Sequence, residues 1–425
     1  MRLHLFLLVI SCMLLPSLSS ALTIDEAVRF SLENNHIARQ YGELAKAAES
    51  GVTSSRSEFF PELNLRYSYM KSDQTAFGAF KETSVFTIEA AYNLFRGFGD
   101  TSLHLKAKAE ALAASYKLDS RLADVVLEAR AAYINVLRTM HAADTGRESV
   151  ELLGRQVRDS KRYYESGLIA RNELLKAEVE LSSARRALIE DEGNHRLAIQ
   201  RLEHAIGSDL PKGEAFEDIS ETPKVMDLTY ETLRDEMYEK RSELRYYRAV
   251  TDAYRHGMRS VAGGYLPRVD LSMSLNTYGD DATPSGSEPY DDETLMMVTA
   301  SWNIFDGFGT TAEVLRARHE LRASEEELKY IESMLSLQLK AAMENYNVSL
   351  SSLEVSRAAV SQAEENYRVT ENLFRQRIAT TTDLLDARNF LSRARTEYYN
   401  AVYGLQLSAA TIERIIEKDS SLSTE

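Results

Sequence analysis

The chain contains two copies of one long unit. The phrase Asn-Leu-Phe-Arg-Gly-Phe-Gly at 93–99 recurs as Asn-Ile-Phe-Asp-Gly-Phe-Gly at 303–309, an offset of 303 − 93 = 210 residues. The phrases Glu173-Leu-Leu-Lys-Ala and Asp383-Leu-Leu-Asp-Ala are related by the same offset, 383 − 173 = 210. Solenoid repeats have periods of about 20–50 residues. A period this long therefore indicates a duplicated element of domain size.

Proline is absent from 62–210 and from 290–425. Both stretches are rich in Ala, Leu, Glu, Arg and Lys, which favour the helix. Apolar residues at 118, 122, 125, 129, 132 and 136 follow the spacing of a coiled-coil seam. We predict very long helices at about 101–166 and 311–376, each roughly 100 Å in length. Each is followed by a second helix, at about 173–206 and 383–416.

Each repeat also contains a short segment that alternates between apolar and polar residues. These segments predict strands at about 62–71, 83–95, 269–278 and 293–305, after Pro61 and Pro267 end the first helix of each repeat. Glycines then turn the chain from strand to long helix, because glycine tolerates unusual backbone angles. They are Gly97, Gly99, Gly307 and Gly309.

The alternation fits either a transmembrane β-barrel or a soluble sheet with one wet face. We favour the barrel, because the chain begins with an export signal and no soluble core surrounds these strands. Four strands cannot close a barrel, which needs about eight. The chain must then oligomerise, and counting alone leaves two copies and three copies open.

The domain organisation follows from these patterns. Arg2, an apolar run at 3–15 and small residues at 19–21 predict a secretory signal peptide over 1–21. Lipidation at Cys12 is an alternative that the sequence leaves open. The first repeat covers 22–207, a linker or equatorial segment 208–228, the second repeat 229–417 and a short C-terminal tail 418–425.

Composition excludes several classes of function. The net charge of −15 disfavours nucleic acid as a partner, because phosphate contacts need a basic surface. The histidines are scattered, and we expect each of them, His141 included, to be an ordinary surface residue of a helix. No motif predicts a catalytic set, a metal site or a cofactor, so we expect no enzyme.

Three segments carry a resemblance to a known family: 302–318, 166–168 and 379–387. With the duplication, they resemble the TolC-like outer-membrane efflux proteins over essentially the whole mature chain. The resemblance implies a mostly α protein with a small β part, each repeat running helix, β-hairpin, very long helix, helix. It also implies a homotrimer whose 12-stranded outer-membrane β-barrel continues into a long α-helical periplasmic barrel.

The same resemblance implies the function and the partners. The protein would be the exit duct of a tripartite efflux pump or type I secretion system, in the outer membrane of a Gram-negative bacterium and extending into the periplasm. Its partners would be outer-membrane lipid, a periplasmic adaptor (membrane fusion) protein and an inner-membrane RND or ABC transporter. An exported coiled-coil scaffold or adhesin without channel activity is the alternative.

Candidate gate residues also come from the resemblance. Asp383 and Asp386 match acidic rings at the periplasmic aperture, although Thr380 and Asp383 also have the spacing of a capping box. Glu173 matches a latch acid, with Arg171 nearby, and Phe374 matches a latch tyrosine but has no hydroxyl. Gly167 and Leu168 match the tip that adaptors contact. The second tip contains Arg377 and Ile378, and Arg377 stands where the family has glycine.

Overall fold

A computed structural model describes residues 21–73, 82–211, 213, 215–219, 229–286 and 292–417. Most of the expected signal peptide, including Cys12, lies outside the described residues. The C-terminal tail and parts of the linker and of both hairpin loops lie outside them as well.

The fold is mostly helical with one small sheet, as predicted. The helices are α1 (Ile24–Asn34), α2 (His36–Ser55), α3 (Gly99–Glu165), α4 (Arg171–Ile206), α5 (Tyr230–Lys240), α6 (Ser242–Ala262), α7 (Gly309–Arg375) and α8 (Thr381–Ile416). The strands are β1 (Glu62–Lys71), β2 (Glu82–Arg96), β3 (Arg268–Gly279) and β4 (Glu293–Ser301). Among the described residues, no helix has both the length and the hydropathy needed to cross a membrane.

The first helix of each repeat is divided in two, which the sequence analysis did not predict. The breaks fall at Asn35 and Arg241, where the backbone is extended rather than helical. Asn35 Nδ2 donates to the Ala205 carbonyl at 2.9 Å, and Arg241 Nη1 donates to the Arg414 carbonyl at 2.6 Å. Each break thus donates a hydrogen bond to a carbonyl in the last turn of a distant helix, where carbonyls have no partner within the helix.

The four strands form one antiparallel sheet in the order β1-β2-β3-β4. β4 ends at Ser301, four residues before the predicted end at 305. The reason is that β3 begins at Arg268, directly after Pro267, and Arg268 pairs with Ser301, so β4 has no partner beyond it. The next residues form a turn in which Asp306 accepts the Thr310 N–H at 2.6 Å.

The described residues divide into two compact units. The tip unit lies within Met1–His36, Asp124–Asp227 and Ala342–Ile412, and contains both turns between a long helix and the helix after it. The sheet unit lies within Ile37–Ala123, Leu228–Ala341 and Glu413–Glu425, and contains all four strands.

The sheet unit contains a buried cluster of paired charges. Glu417 is 5 % exposed and accepts hydrogen bonds from the Ser242 N–H at 3.0 Å and the Ser242 hydroxyl at 2.6 Å. It also pairs with Arg414 at 3.2 Å, while the buried Arg241 pairs with Glu243. Buried charges are tolerated when they are paired and hydrogen-bonded. Glu417 occupies the position of Gly207 in the first repeat (417 − 210), and both have positive φ.

Asp119 provides a test of this cluster. Burial, and then the negative charge of Glu417, raise the pKa of Asp119 above its ordinary value. A raised pKa means that ionised Asp119 lowers stability once the pH rises through the folded-state pKa. We expect Asp119→Asn to stabilise the protein at pH 7 by no more than about 1 kcal/mol, since the group is only half buried. Below the ordinary carboxyl pKa of about 3.9 the advantage should vanish. Thermal unfolding followed by circular dichroism between pH 3 and 8 measures it; an advantage independent of pH contradicts the explanation.

Candidate functional site

The two tips of the tip unit have the same turn. The Gly167 N–H donates to the Tyr164 carbonyl and the Leu168 N–H to the Tyr163 carbonyl, at 2.9 and 2.8 Å. The Arg377 and Ile378 N–H groups repeat both bonds, to Phe374 and Leu373. This is the Schellman motif, which places its C′ residue in the left-handed region. Accordingly φ is +68° at Gly167 and +64° at Arg377, and the next side chain in each tip is exposed and apolar.

Arg377 adopts a conformation that favours glycine. A side chain in the left-handed region costs roughly 1–2 kcal/mol. We therefore expect Arg377→Gly to stabilise the second tip by about 1 kcal/mol, measured as slower hydrogen exchange at residues 374–379. The matched variant Gly167→Ala has no neighbouring atom within 4 Å and should destabilise the first tip by a similar amount. Equal exchange in all three proteins would contradict the expectation.

The two candidate gate carboxylates have different surroundings. The Asp383 carboxylate accepts the Thr380 N–H at 2.8 Å and the Thr380 hydroxyl at 2.7 Å, and Thr380 Oγ1 accepts the Asp383 N–H at 3.2 Å. These bonds, first that from the N–H, hold the pKa of Asp383 below its ordinary value. Asp386 is exposed, and within the described residues it has no hydrogen-bond or ion-pair partner. Asp383 therefore caps α8, whereas the Asp386 carboxylate is open to solvent.

Glu173 forms an ion pair within its own helix, α4. Its Oε1 accepts from Lys176 Nζ at 3.0 Å, and its Oε2 is buried without a hydrogen-bond partner in the described part of the chain. Lys176 Nζ also donates to Thr382 Oγ1 on α8 at 3.3 Å. Phe374 is half-buried near the end of α7, and Arg171 is exposed at the first residue of α4. The structure places neither of them against Glu173.

The contacts between the helical hairpins α3–α4 and α7–α8 were not predicted from the sequence. Leu385 on α8 packs in one cluster with Leu153 on α3 and Leu181 on α4. Farther along α8, Arg395 pairs with Glu148 on α3 at 2.6 Å and with Glu364 on α7 at 3.0 Å. The heptad pattern signals the apolar contact, but the polar contacts depend on the register between helices. Together they hold α8 against α3, α4 and α7.

His141 is a correction to the sequence analysis, which placed it on a solvated helix face. Its side chain is mostly buried, and its ring stacks on Tyr399 with centroids 4.2 Å apart. Its Nε2 lies 3.4 Å from Asp218 Oδ2, and Asp218 Oδ1 accepts from the Tyr403 hydroxyl at 2.9 Å. Tyr133 donates its hydroxyl to the Glu217 carbonyl at 2.8 Å. The described linker residues 215–219 are thereby fixed on α3 and α8.

The strand-to-helix turns of the sheet unit are also a partial correction. Gly97 and Gly307 have φ of +58° and +69°, but the other left-handed residues are Phe98 and Phe308, at +63° and +71°. Gly99 and Gly309 instead begin α3 and α7. Each phenylalanine packs edge-to-face on the aromatic ring three residues earlier, Phe95 or Phe305, with centroids 5.2 and 5.5 Å apart. This contact offsets part of the backbone strain.

No group of three or more His, Cys, Asp or Glu side chains in the described ranges could hold a metal ion. The tips provide the exposed carboxylates of Asp383 and Asp386 and the exposed apolar side chains of Leu168 and Ile378. Such an arrangement suits contact with another protein or with passing ions.

Comparison with known proteins agrees with this geometry. The family model "Outer membrane efflux protein" matches residues 31–208 and 233–416. Outer membrane protein TolC of Escherichia coli strain K12 is 23% identical over 412 residues, covering 93% of this chain and 82% of TolC. TolC of Vibrio cholerae is 24% identical over 413 residues, with 95% and 93% covered.

A solved structure has the same fold. The Campylobacter jejuni CmeC outer membrane channel superposes with a TM-score of 0.84 at 14% identity, covering 92% of this chain and 85% of CmeC. The family match extends over both repeats and most of the chain. The chain therefore belongs to the family of outer membrane efflux proteins, and its location is the outer membrane of a Gram-negative bacterium, from which it extends into the periplasm.

Proposed function

We propose that the chain is one subunit of a homotrimeric exit duct, serving a tripartite efflux pump or a type I secretion system. The duct is a passive conduit with no catalytic activity, gated at its tips, and the partner pump supplies the energy. Family membership supports an efflux channel. The trimer is supported by the two unpaired edges of the sheet and by exposed apolar stripes on α4 and α7.

Both edges of the sheet are free. β1 pairs only with β2 and β4 only with β3, and every described residue of β1 and β4 is exposed. Unpaired backbone groups at a sheet edge are a template for pairing with another chain. In the proposed assembly β4 of one copy pairs with β1 of the next. Three copies then give 3 × 4 = 12 strands, a closed barrel wide enough for a channel.

Within the tip unit, α7 and α4 each have an exposed apolar stripe that no described residue of the chain covers. The α7 seam consists of Val348, Val355 and Val369, spaced by 7 and 14 residues, and Val355 is 70% exposed. The α4 seam consists of Leu175, Val179, Ile189 and Leu197, and Val179 is 68% exposed. Apolar residues at such spacings form coiled-coil interfaces. We propose that the α7 seam of one copy packs antiparallel on the α4 seam of the next.

Native mass spectrometry of the detergent-extracted protein tests the assembly. The proposal predicts a mass of three chains, each at most 47.9 kDa. A single chain would contradict it and favour the exported scaffold or adhesin. A dimer would contradict the twelve-stranded barrel, because two copies supply only 2 × 4 = 8 strands.

The proposed gate is the tip unit, with Asp386 as its main carboxylate. Asp383 is engaged as a helix cap, so one of its carboxylate oxygens already accepts two hydrogen bonds from Thr380. Asp386 is solvent-exposed and lies three residues farther along α8, on the same face. Three copies bring three such carboxylates to the aperture, where they attract cations. Glu173, Arg171 and Phe374 are proposed to modulate this closed state.

We expect Asp386→Asn to weaken block of the channel by a divalent cation. The concentration for half-block should rise about tenfold, because a carboxylate near a cation contributes roughly 1 kcal/mol or more even in water. Single-channel recording with added Mg²⁺ measures it. Glu397→Gln, an exposed carboxylate farther along α8, is the matched control and should change little. An equal effect of both variants would exclude a specific role for Asp386.

The exposed residues of the two tips are the proposed contact surface for the partners. Leu168 and Ile378 lie at equivalent positions of the two tips and are 48% and 68% exposed. With Gly167 and Arg377 they form the surface for a periplasmic adaptor protein, which joins the duct to an inner-membrane RND or ABC transporter. The outer faces of the strands contact outer-membrane lipid.

A further inference from the structure

Arg388 is a buried cation without an ion-pair partner. It lies on α8 and is 7% exposed. Its Nη1 donates to Asn389 Oδ1 at 3.5 Å, and its Nε has no hydrogen-bond partner. Within the described ranges, no carboxylate lies within 4 Å of the guanidinium. Burying such a guanidinium costs free energy, because its charge has no ion-pair partner and its Nε–H has no acceptor.

The groups around Arg388 come from three helices. Burial lowers the pKa of Arg388, and the opposite charge of Glu180 on α4 acts in the other direction, with a contribution from Tyr367 on α7. Tyr367 packs against the cluster that contains Leu391, one turn beyond Arg388. Glu180 adjoins Leu181, which packs with Leu385. Arg388 therefore lies where α8 contacts both α4 and α7.

A comparison of the two repeats shows that a buried charge at this position is not common to both. The residue equivalent to Arg388 in the first repeat is Glu178 (388 − 210), which is exposed on α4. Only the second repeat therefore buries a charge at this position. Burial of this charge therefore destabilises the α4–α8 contact, which also contains the hydrogen bond from Lys176 to Thr382.

We propose that Arg388 is a positioning residue of the gate, disfavouring the present α4–α8 contact and pairing with Glu180 when α8 shifts. The inference rests on the proposed gated duct and names a device that regulates it. In the present arrangement the guanidinium is buried and underpaired. A shift of α8 along α4 brings it to the Glu180 carboxylate, so the two charges bias the tip toward rearrangement.

Two substitutions that should act in the same direction test the proposal. Arg388→Met keeps the length of the side chain and removes the charge, so hydrogen exchange at residues 381–390 should slow about tenfold. Glu180→Gln removes the partner that Arg388 gains when α8 shifts, so exchange there should also slow. In the Arg388→Met background Glu180→Gln should have no effect. Arg393→Met, an exposed arginine on the same helix, is the control.

A purely structural role predicts the reverse for the first variant. If Arg388→Met speeds exchange, Arg388 stabilises the contact and the proposal is overturned; so too if Glu180→Gln acts equally with and without Arg388. Open probability in a lipid bilayer should fall with Arg388→Met. A wild-type protein without conductance would refute the proposed duct, whereas the exchange measurements would still decide the role of Arg388.

Discussion

Gly97→Ala is expected to destabilise the sheet unit by about 2–4 kcal/mol, the sum of backbone strain and overpacking. Gly97 has φ of +58°, which disfavours any side chain. An added Cβ would also overlap the Gly263 carbonyl oxygen and contact Leu266 too closely. Neither neighbour can move easily, because Gly263 lies in the short 3-10 helix that precedes β3. The turn from β2 into α3 should therefore distort.

Gly307→Ala is the matched control in the second repeat. Its φ of +69° has the same backbone cost, but nothing lies within 4 Å of an added Cβ. We expect a loss of about 1 kcal/mol, from strain alone. Chemical denaturation in detergent, followed by circular dichroism, compares the two variants. Equal losses would show that the close approach of Gly97 to Gly263 does not constrain this turn.

Val355→Asp is expected to abolish the trimer while leaving the single chain folded. Val355 is 70% exposed in one chain, so a carboxylate there is solvated and should cost the monomer little. In the proposed trimer the same carboxylate would be buried without a partner at each of three interfaces. Burying an unpaired charge costs about 3–5 kcal/mol, which is enough to dissociate most interfaces. Native mass spectrometry should then show single chains.

Ser361→Asp tests whether any added charge on α7 has this effect. Ser361 is exposed on the same helix, six residues beyond Val355 and off the α7 seam. That variant should remain trimeric. A trimer in both variants would refute the α7 seam as an interface, and loss of helical content in Val355→Asp would show that Val355 contributes to the single chain instead.

Much of the fold was predictable because its signals are local. Proline-free stretches with heptad spacing predicted long helices, and period-two alternation predicted a small sheet. The breaks at Asn35 and Arg241 were not predictable in this way. Both residues occur in helical sequence, and what stabilises the break is a bond to a carbonyl about 170 residues away. The early end of β4 likewise depends on where its partner strand begins.

The candidate site was less predictable than the fold. The spacing of Thr380 and Asp383 suggested a cap and the family resemblance suggested a gate, and the structure shows the cap. The contacts of Lys176, Arg388 and Arg395 were not foreseen, because they depend on the register of α8 against α3, α4 and α7. His141 carried no signal either, since only the fold brings Asp218 and Tyr399 to it. The gate roles of the acidic residues stay predictions.

Single-channel recording of the purified protein in a planar lipid bilayer tests the central claim most directly. The account predicts discrete conductance steps that favour cations, are blocked by Mg²⁺ and are absent from Val355→Asp. Membrane-inserted trimers that never conduct under any applied voltage would contradict the exit duct. The protein would then be an exported scaffold rather than a channel.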